Sequence, residues 1–184
     1  EYLLTGPLET TNEGYALAKI SGYKLCLYLS LQYGWNTVSL MPCNLYGTND
    51  TYDLVNGHVF PAFVRRFVEA ARENRPEEVL WGTGKREFLH VDDVANAVYY
   101  FMQNHNEPEI INVGYGTDIT IRELAEKIAA AAGFKGKINW DASKPDGMYR
   151  KLMDSSKARA LGWRPQITLD EGIIRTVAEY QKLS

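Results

Sequence analysis

An α/β fold organised on a doubly wound parallel sheet is what this 184-residue sequence predicts, on three observations. The run from Tyr15 to Tyr33 forms helix, stops at Gly34 and passes through a short turn into the β-prone stretch Asn36 to Met41, the helix–turn–strand order that a parallel sheet needs. Amphipathic helical runs then alternate with short β-prone runs as far as Asp141. Two capping boxes, Thr120 to Glu123 and Thr168 to Glu171, mark where the last long helices begin.

Composition narrows the classes. Apolar residues make up 45% of the chain, enough to bury a core, and the net charge of -3 offers no electrostatic footprint for nucleic acid. No apolar run reaches the ~20 residues that a membrane-spanning helix needs, and nothing resembles a signal peptide. Cys26 and Cys43 show neither metal-ligand spacing nor a disulfide framework, so both read as free thiols of a reducing, cytoplasmic protein.

In chain order, the polar Pro7 to Gly14 stretch is a loop that delivers Tyr15 to a helix start. In the helix, Ala18, Gly22, Leu25, Leu29 and Tyr33 share one face while Leu17, Leu27 and Leu31 occupy others. Apolar residues nearly all round imply burial on more than one side, one against a sheet and the other against a second subunit. A homodimer through the Tyr15–Tyr33 helix follows as an expectation. Pro42 to Gly47 reads as a turn at the strand's carboxyl end, and Thr48 to Gly57 as an irregular, mobile segment. His58 precedes a helix with Val59, Phe63, Phe67 and Ala70 on one stripe, and Pro61 is tolerated in its first turn. Val79 to Trp81 and Glu87 to Val91 read as strands joined by a glycine turn, with Asp92 capping a helix whose inner stripe is Val94, Val98 and Phe101. Glu109 to Gly114 is the next strand. The Thr120 helix faces Leu124, Ile128 and Ala132 inward and ends at Gly133. Lys137 to Asp141 is a strand, Ser143 to Gly147 a Pro-Asp-Gly turn, and Asp154 or Ser155 caps a short helix from Lys157 to Leu161, before a terminal helix to about Gln181.

The chemistry-bearing pattern starts with Tyr15 and Lys19, four apart and so one helical turn above each other. An ammonium beside a phenol favours the phenolate, which makes the pair a proton-transfer device. Pro42, Cys43, Asn44 and Leu45 lie at the carboxyl end of a strand, where open α/β sheets bind ligands. His58, at a helix start, sits where the dipole disfavours the imidazolium and leaves a ring able to accept a proton. Arg65 and Arg66 point in different directions, so that one is free for a diphosphate while the other pairs with acidic groups.

Tyr15-x-x-x-Lys19 after its Pro-containing loop, Asn44-Leu-Tyr-Gly47, the segment from His58 to Arg66, Arg86-Glu-Phe-Leu-His-Val-Asp92 and Asp141 to Leu152 together resemble the extended short-chain dehydrogenase/reductases that act on nucleotide sugars. The resemblance runs nearly end to end, and the last segment points to the branch that epimerises and then reduces GDP-4-keto-6-deoxy-D-mannose. It implies the C-terminal part of a Rossmann-type doubly wound parallel sheet plus a smaller mixed α/β substrate-binding domain. Residues 1–47 would complete the NADP-binding domain; residues 48–184 would mainly bind the GDP-sugar, with some segments returning to the Rossmann sheet. By the same resemblance Tyr15, Lys19 and His58 are catalytic. NADP(H) is bound by Tyr15, Lys19, Pro42, Cys43, Asn44, Leu45 and His58, and the GDP moiety by Arg66, Trp81, Arg86 and Lys151. His90 and Asp92 are structural, a buried hydrogen-bonded pair and a cap. The family's glycine-rich cofactor loop, its ketone-polarising serine and the cysteine partner of its histidine have no counterpart in these residues, which implies the C-terminal portion of a longer polypeptide, inactive by itself. Two other readings remain: a nucleotide-sugar 4-epimerase or 4,6-dehydratase that makes no use of His58, and a non-catalytic nucleotide-sugar-binding or dimerisation module.

Overall fold

A computed structural model of the chain describes residues 3–54, 57–144 and 148–183. After a single 3-10 turn, α1 (Glu13–Tyr33) leads through a short connection to β1 (Ser39–Pro42) and β2 (Asn44–Tyr46). Then come α2 (Val59–Arg72), β3 (Glu77–Leu80), β4 (Lys85–Arg86), β5 (Phe88–His90), α3 (Val91–Asn104) and β6 (Ile110–Val113). The chain continues with β7 (Ile119–Thr120), α4 (Ile121–Ala132), β8 (Lys137–Trp140), β9 (Arg150–Lys151), α5 (Ser156–Ala160) and α6 (Leu169–Leu183).

The parallel character holds. β1 pairs with β6, β2 with β5 and β3 with β8, all parallel, while β4 lies between antiparallel β7 and parallel β9. Helices return the chain between the paired strands, as parallel pairing demands. One core gathers under α2, α4 and α6, where Phe60, Phe63, Val64, Phe67, Val68, Leu124 and Ile128 meet Tyr46, Leu80 and Phe88. Burying side chains of this size contributes roughly 1.5–3 kcal/mol each. A second core joins Leu89, Ile111 and Val113 to Ala97 and Phe101 of α3, Ala158 of α5 and Trp163, with Val38, Leu40, Cys43 and Leu45 packed against it. The segment before residue 47 is thereby tied to strands and helices that come much later.

The helix ends follow their residue types. Gly34 and Gly133 close α1 and α4 in the left-handed conformation, φ 69° and 76°, which a glycine adopts without a Cβ penalty. At α4 the Thr120 hydroxyl accepts from the Glu123 N–H and the Glu123 carboxylate takes the Thr120 N–H, the reciprocal box that the sequence predicts. At α6 the Thr168 hydroxyl accepts from the Glu171 N–H while the Glu171 carboxylate pairs with Arg175.

Several expectations need correction. α1 has no buried residue at all, and Leu25, Leu31 and Tyr33 are each about 60% exposed or more. Its apolar surface has no counterpart to pack under among the described residues, so burial on more than one side does not occur here. Its C-terminal end is tied down instead: Ser30 Oγ donates to the Trp35 carbonyl at 2.7 Å and lies 2.6 Å from Thr37 Oγ1, which also reaches the Cys26 carbonyl. β1 begins three residues later than the β-prone run, and Asn44–Tyr46 is a strand rather than part of a turn, because its backbone pairs with Phe88–His90. In α3 the buried positions are Asp93, Ala97 and Phe101, while Val98 faces out. The cap is His90, not Asp92: His90 Nδ1 accepts from the Asp92 N–H at 3.2 Å. His90 is buried as expected, but the Asp92 side chain is exposed and it is Asp93 that is buried, accepting from the Gln166 and Ile167 N–H groups. Of the expected turn from Ser143 to Gly147, residues 145–147 lie outside the described residues, as do residues 55 and 56 of the Thr48 to Gly57 segment.

Candidate active site

A cleft of about 1260 Å³ opens between α1, the carboxyl ends of β1 and β2, the start of α2 and the β4–β9 pair. Tyr15, Lys19, Pro42, Cys43, Asn44, Leu45, His58, Arg86 and Lys151 all line it. Sequence reasoning drew these nine residues from five separate segments, and the fold brings them to one cavity.

Lys19 Nζ lies 5.4 Å from the centroid of the Tyr15 ring, the one-turn stacking that the spacing implies. Tyr15 is 66% exposed, so its hydroxyl is free to meet a ligand, and among the described residues the Lys19 ammonium has no carboxylate partner. Across the cleft, Asn44 is fixed by its side-chain amide, which donates to the Glu87 carbonyl at 2.8 Å. The Cys43 thiol is pushed up to about 12, chiefly by burial and further by the negative charge of Glu87. It is therefore held protonated and is no nucleophile or base near neutrality.

His58 is the N-cap residue of α2, extended at φ -73° and ψ 162°, and its ring makes no capping bond, which leaves it exposed at the cleft wall. Asp50 shares that wall. Its carboxyl is pushed up by burial, with the Thr51 N–H and His58 acting in the opposite sense. On the floor, Arg86 and Lys151 are register partners of parallel strands, so their side chains leave the same face of the sheet. Two adjacent cations repel unless an anion lies between them, which suits the pair to a phosphate group. Arg150 is taken out of that role by Asp118, whose carboxyl the guanidinium holds below its ordinary value.

Arg66 and Trp81 are not among the residues lining this cleft. Arg66 Nε sits 3.1 Å from Glu78 Oε2 and its Nη2 donates to the Val79 carbonyl, so its fork is occupied along β3; Arg65 pairs with Glu69. Trp81, 49% exposed, directly follows β3. Asp50 and Glu87 were missed. Asp50 lies in a stretch without periodicity, and Glu87 sits between the arginine and the histidine of one motif, although a carboxylate directly before the apolar Phe88-Leu89 strand is a signal of burial.

The chain belongs to the NAD dependent epimerase/dehydratase family, whose model matches residues 1–114. It is 52% identical to a probable GDP-L-fucose synthase 1 of Oryza sativa subsp. japonica, over 97% of this chain and 55% of that protein. It is 49% identical to the GDP-L-fucose synthase of Escherichia coli strain K12, over 95% of this chain and 58% of the relative. Its fold matches the crystal structure of a GDP-L-fucose synthetase from Naegleria fowleri bound to NADP with a TM-score of 0.90 at 26% identity, covering 98% of this chain and 59% of that one. The chain thus spans little more than half the length of these relatives.

Proposed function

We propose that the whole protein is an NADPH-dependent epimerase and reductase that converts GDP-4-keto-6-deoxy-D-mannose to GDP-L-fucose. The observation that carries this reading is the convergence on one cleft of the Tyr15–Lys19 pair, the uncapped His58 and the Arg86–Lys151 cation pair. The chain's similarity to GDP-L-fucose synthases supports it.

The site suits a nicotinamide dinucleotide. Lys19, with three donors and no carboxylate partner among the described residues, stands over the Tyr15 ring in the cleft near the carboxyl ends of parallel strands, a donor set that fits vicinal ribose hydroxyls. Tyr15, Lys19, the Pro42 to Leu45 stretch and His58 would hold that end of NADP(H). When bound, the cofactor supplies the hydride that reduces the 4-keto group. Tyr15 delivers a proton to the carbonyl oxygen, and the Lys19 charge stabilises the phenolate it leaves. His58 serves as one member of the acid–base pair that exchanges protons at the carbons flanking the ketone, the other member acting from the opposite face of the sugar so that the configuration inverts. Arg86 and Lys151 neutralise the diphosphate. Arg66 and Trp81, adjacent to β3, serve the GDP moiety from outside the cleft, with Arg66 exchanging Glu78 for phosphate.

The two cores support a division near residue 47, since β5, β6 and α5 come back to pack with the segment before it. The exposed apolar residues of α1 support a homodimer through that helix, and the free thiols support a cytoplasmic setting. No helix among the described residues is long and apolar enough to cross a membrane.

The test is His58→Gln in the whole protein. Solvent deuterium incorporation at sugar carbons three and five is expected to disappear while NADPH binding persists. Unchanged incorporation overturns the role of His58 and returns the protein to the epimerases and dehydratases that do without it.

A further inference from the structure

Glu87 is fully buried, and among the described residues no cation pairs with it. All four of its polar groups are nonetheless engaged, each by a different place in the chain. Oε1 accepts from the Gly116 N–H at 2.6 Å, across 29 residues, and Oε2 accepts from the Met153 N–H at 3.1 Å, across 66 residues. Its own N–H donates to the Lys151 carbonyl at 3.3 Å, and its carbonyl accepts from the Asn44 amide at 2.8 Å. Gly114 presses on the carboxylate so closely that a Cβ there would collide with Oε1 and Cδ.

A buried charge is costly unless its lone pairs are filled, and here backbone N–H groups fill them. Those donors are not scattered. Met153 lies two residues beyond Lys151, and Arg86 is the neighbour of Glu87, so the carboxylate spans the segment that presents both floor cations. The Gly116 bond anchors this clasp to the turn after β6.

We propose that Glu87 is a positioning residue that fixes Arg86 and Lys151 against each other and thereby sets affinity for the nucleoside diphosphate end of the substrate, which it never touches. This rests on the functional reading above. In Glu87→Gln an amide NH2 replaces one acceptor and confronts a backbone N–H, so one arm of the clasp opens with side-chain volume preserved.

Turnover of the keto-sugar by the unaltered whole protein, measured first, tests the functional reading alone. The Glu87 comparison is then made by GDP calorimetry, which needs no turnover, and by kinetics. E87Q is expected to raise the GDP dissociation constant and the KM for the sugar nucleotide about tenfold, with kcat and NADPH binding held within about twofold. Added to Lys151→Ala, it is expected to cost less than about threefold more, because both act on the same cation. An unchanged GDP affinity, an equal fall of kcat and kcat/KM, or full additivity with K151A overturns the proposal. Should E87Q not fold, amide exchange on the unaltered protein without GDP decides. Slow exchange at both Gly116 and Met153 is expected from a preformed clasp, and exchange of either at the rate of an open loop overturns it.

Discussion

Gly172 of α6 faces Tyr46 of β2 so closely that a Cβ on the glycine would clash with the hydroxyl oxygen and lie 2.7 Å from Cζ. Tyr46 has no room to withdraw: it is buried, stacked on Phe60 at 4.1 Å between centroids and edge-on to His90 at 5.3 Å. Alanine in a helix interior ordinarily gains ~1 kcal/mol over glycine. Here Gly172→Ala is expected to lower stability by about 2 kcal/mol, the scale of an overpacked core, in urea denaturation. Tyr46→Phe in the same background removes the nearest atom and restores part of the loss. A neutral G172A would mean that α6 slides freely over β2.

Asp93 and Asp92 are expected to separate sharply. Asp93→Ala takes the buried carboxylate away from the Gln166 and Ile167 N–H groups that it accepts from and costs about 2–4 kcal/mol in thermal or chemical unfolding. Asp92→Ala, at an exposed side chain, costs within about 0.5 kcal/mol. The reverse order would restore Asp92 as the structural member of the pair.

Cys43 provides the pH dependence. Its thiol is raised to about 12, so the thiolate fraction at pH 8 is about one in 10⁴ and climbs about tenfold per pH unit without a plateau below pH 11. Alkylation of Cys43 with iodoacetamide, followed by mass spectrometry, is expected to follow that slope. The stability linkage has a fixed sign. The unfolded thiol releases its proton near its ordinary value while the folded one keeps it, so the unfolded state binds fewer protons and stability falls as pH rises from about 9 towards 12. A plateau in alkylation near pH 9 would show the thiol to be solvated.

Tyr15→Phe divides the two chemical steps. NADPH oxidation with the keto-sugar is expected to fall by about 10²–10⁴-fold, the worth of a positioned acid, with NADPH binding within about threefold. Deuterium entry at carbons three and five is expected to persist, because the proposed mechanism assigns it to His58 and not to Tyr15. Loss of both signals together would make Tyr15 an acid for epimerisation as well.

Legibility of the sequence followed the locality of the cause. The α4 capping box, the Gly34 and Gly133 stops and the start of α2 at His58 all depend on residues within one turn, and they stand where they were expected. The nine cleft residues were legible because spacing and motif carry them, although only the fold shows that they share a cavity. What the sequence withheld is set by distant partners. Asn44–Tyr46 becomes a strand only because Phe88–His90 lies beside it, and Val98 turns outward because Ala97 and Phe101 meet Ile111 and Trp163. Arg66 could not be known to lie on Glu78 from either residue's own neighbours. Glu87 shows the same limit at its sharpest, since its donors stand 29 and 66 residues away.

The tethering of α1 at one end makes that helix a lever. From Ser30, held by Trp35 and Thr37, to Tyr15 is fifteen residues, an arm of about 22 Å at ~1.5 Å per residue. A swing of about three degrees at the tether carries the phenol roughly 1 Å, a displacement that can cost a reaction ~10²-fold. The aim of Tyr15, the proposed proton donor, is therefore governed by whatever stiffens the arm along its exposed apolar length. For this site, rigidity of a distant surface and rate of a chemical step are one quantity.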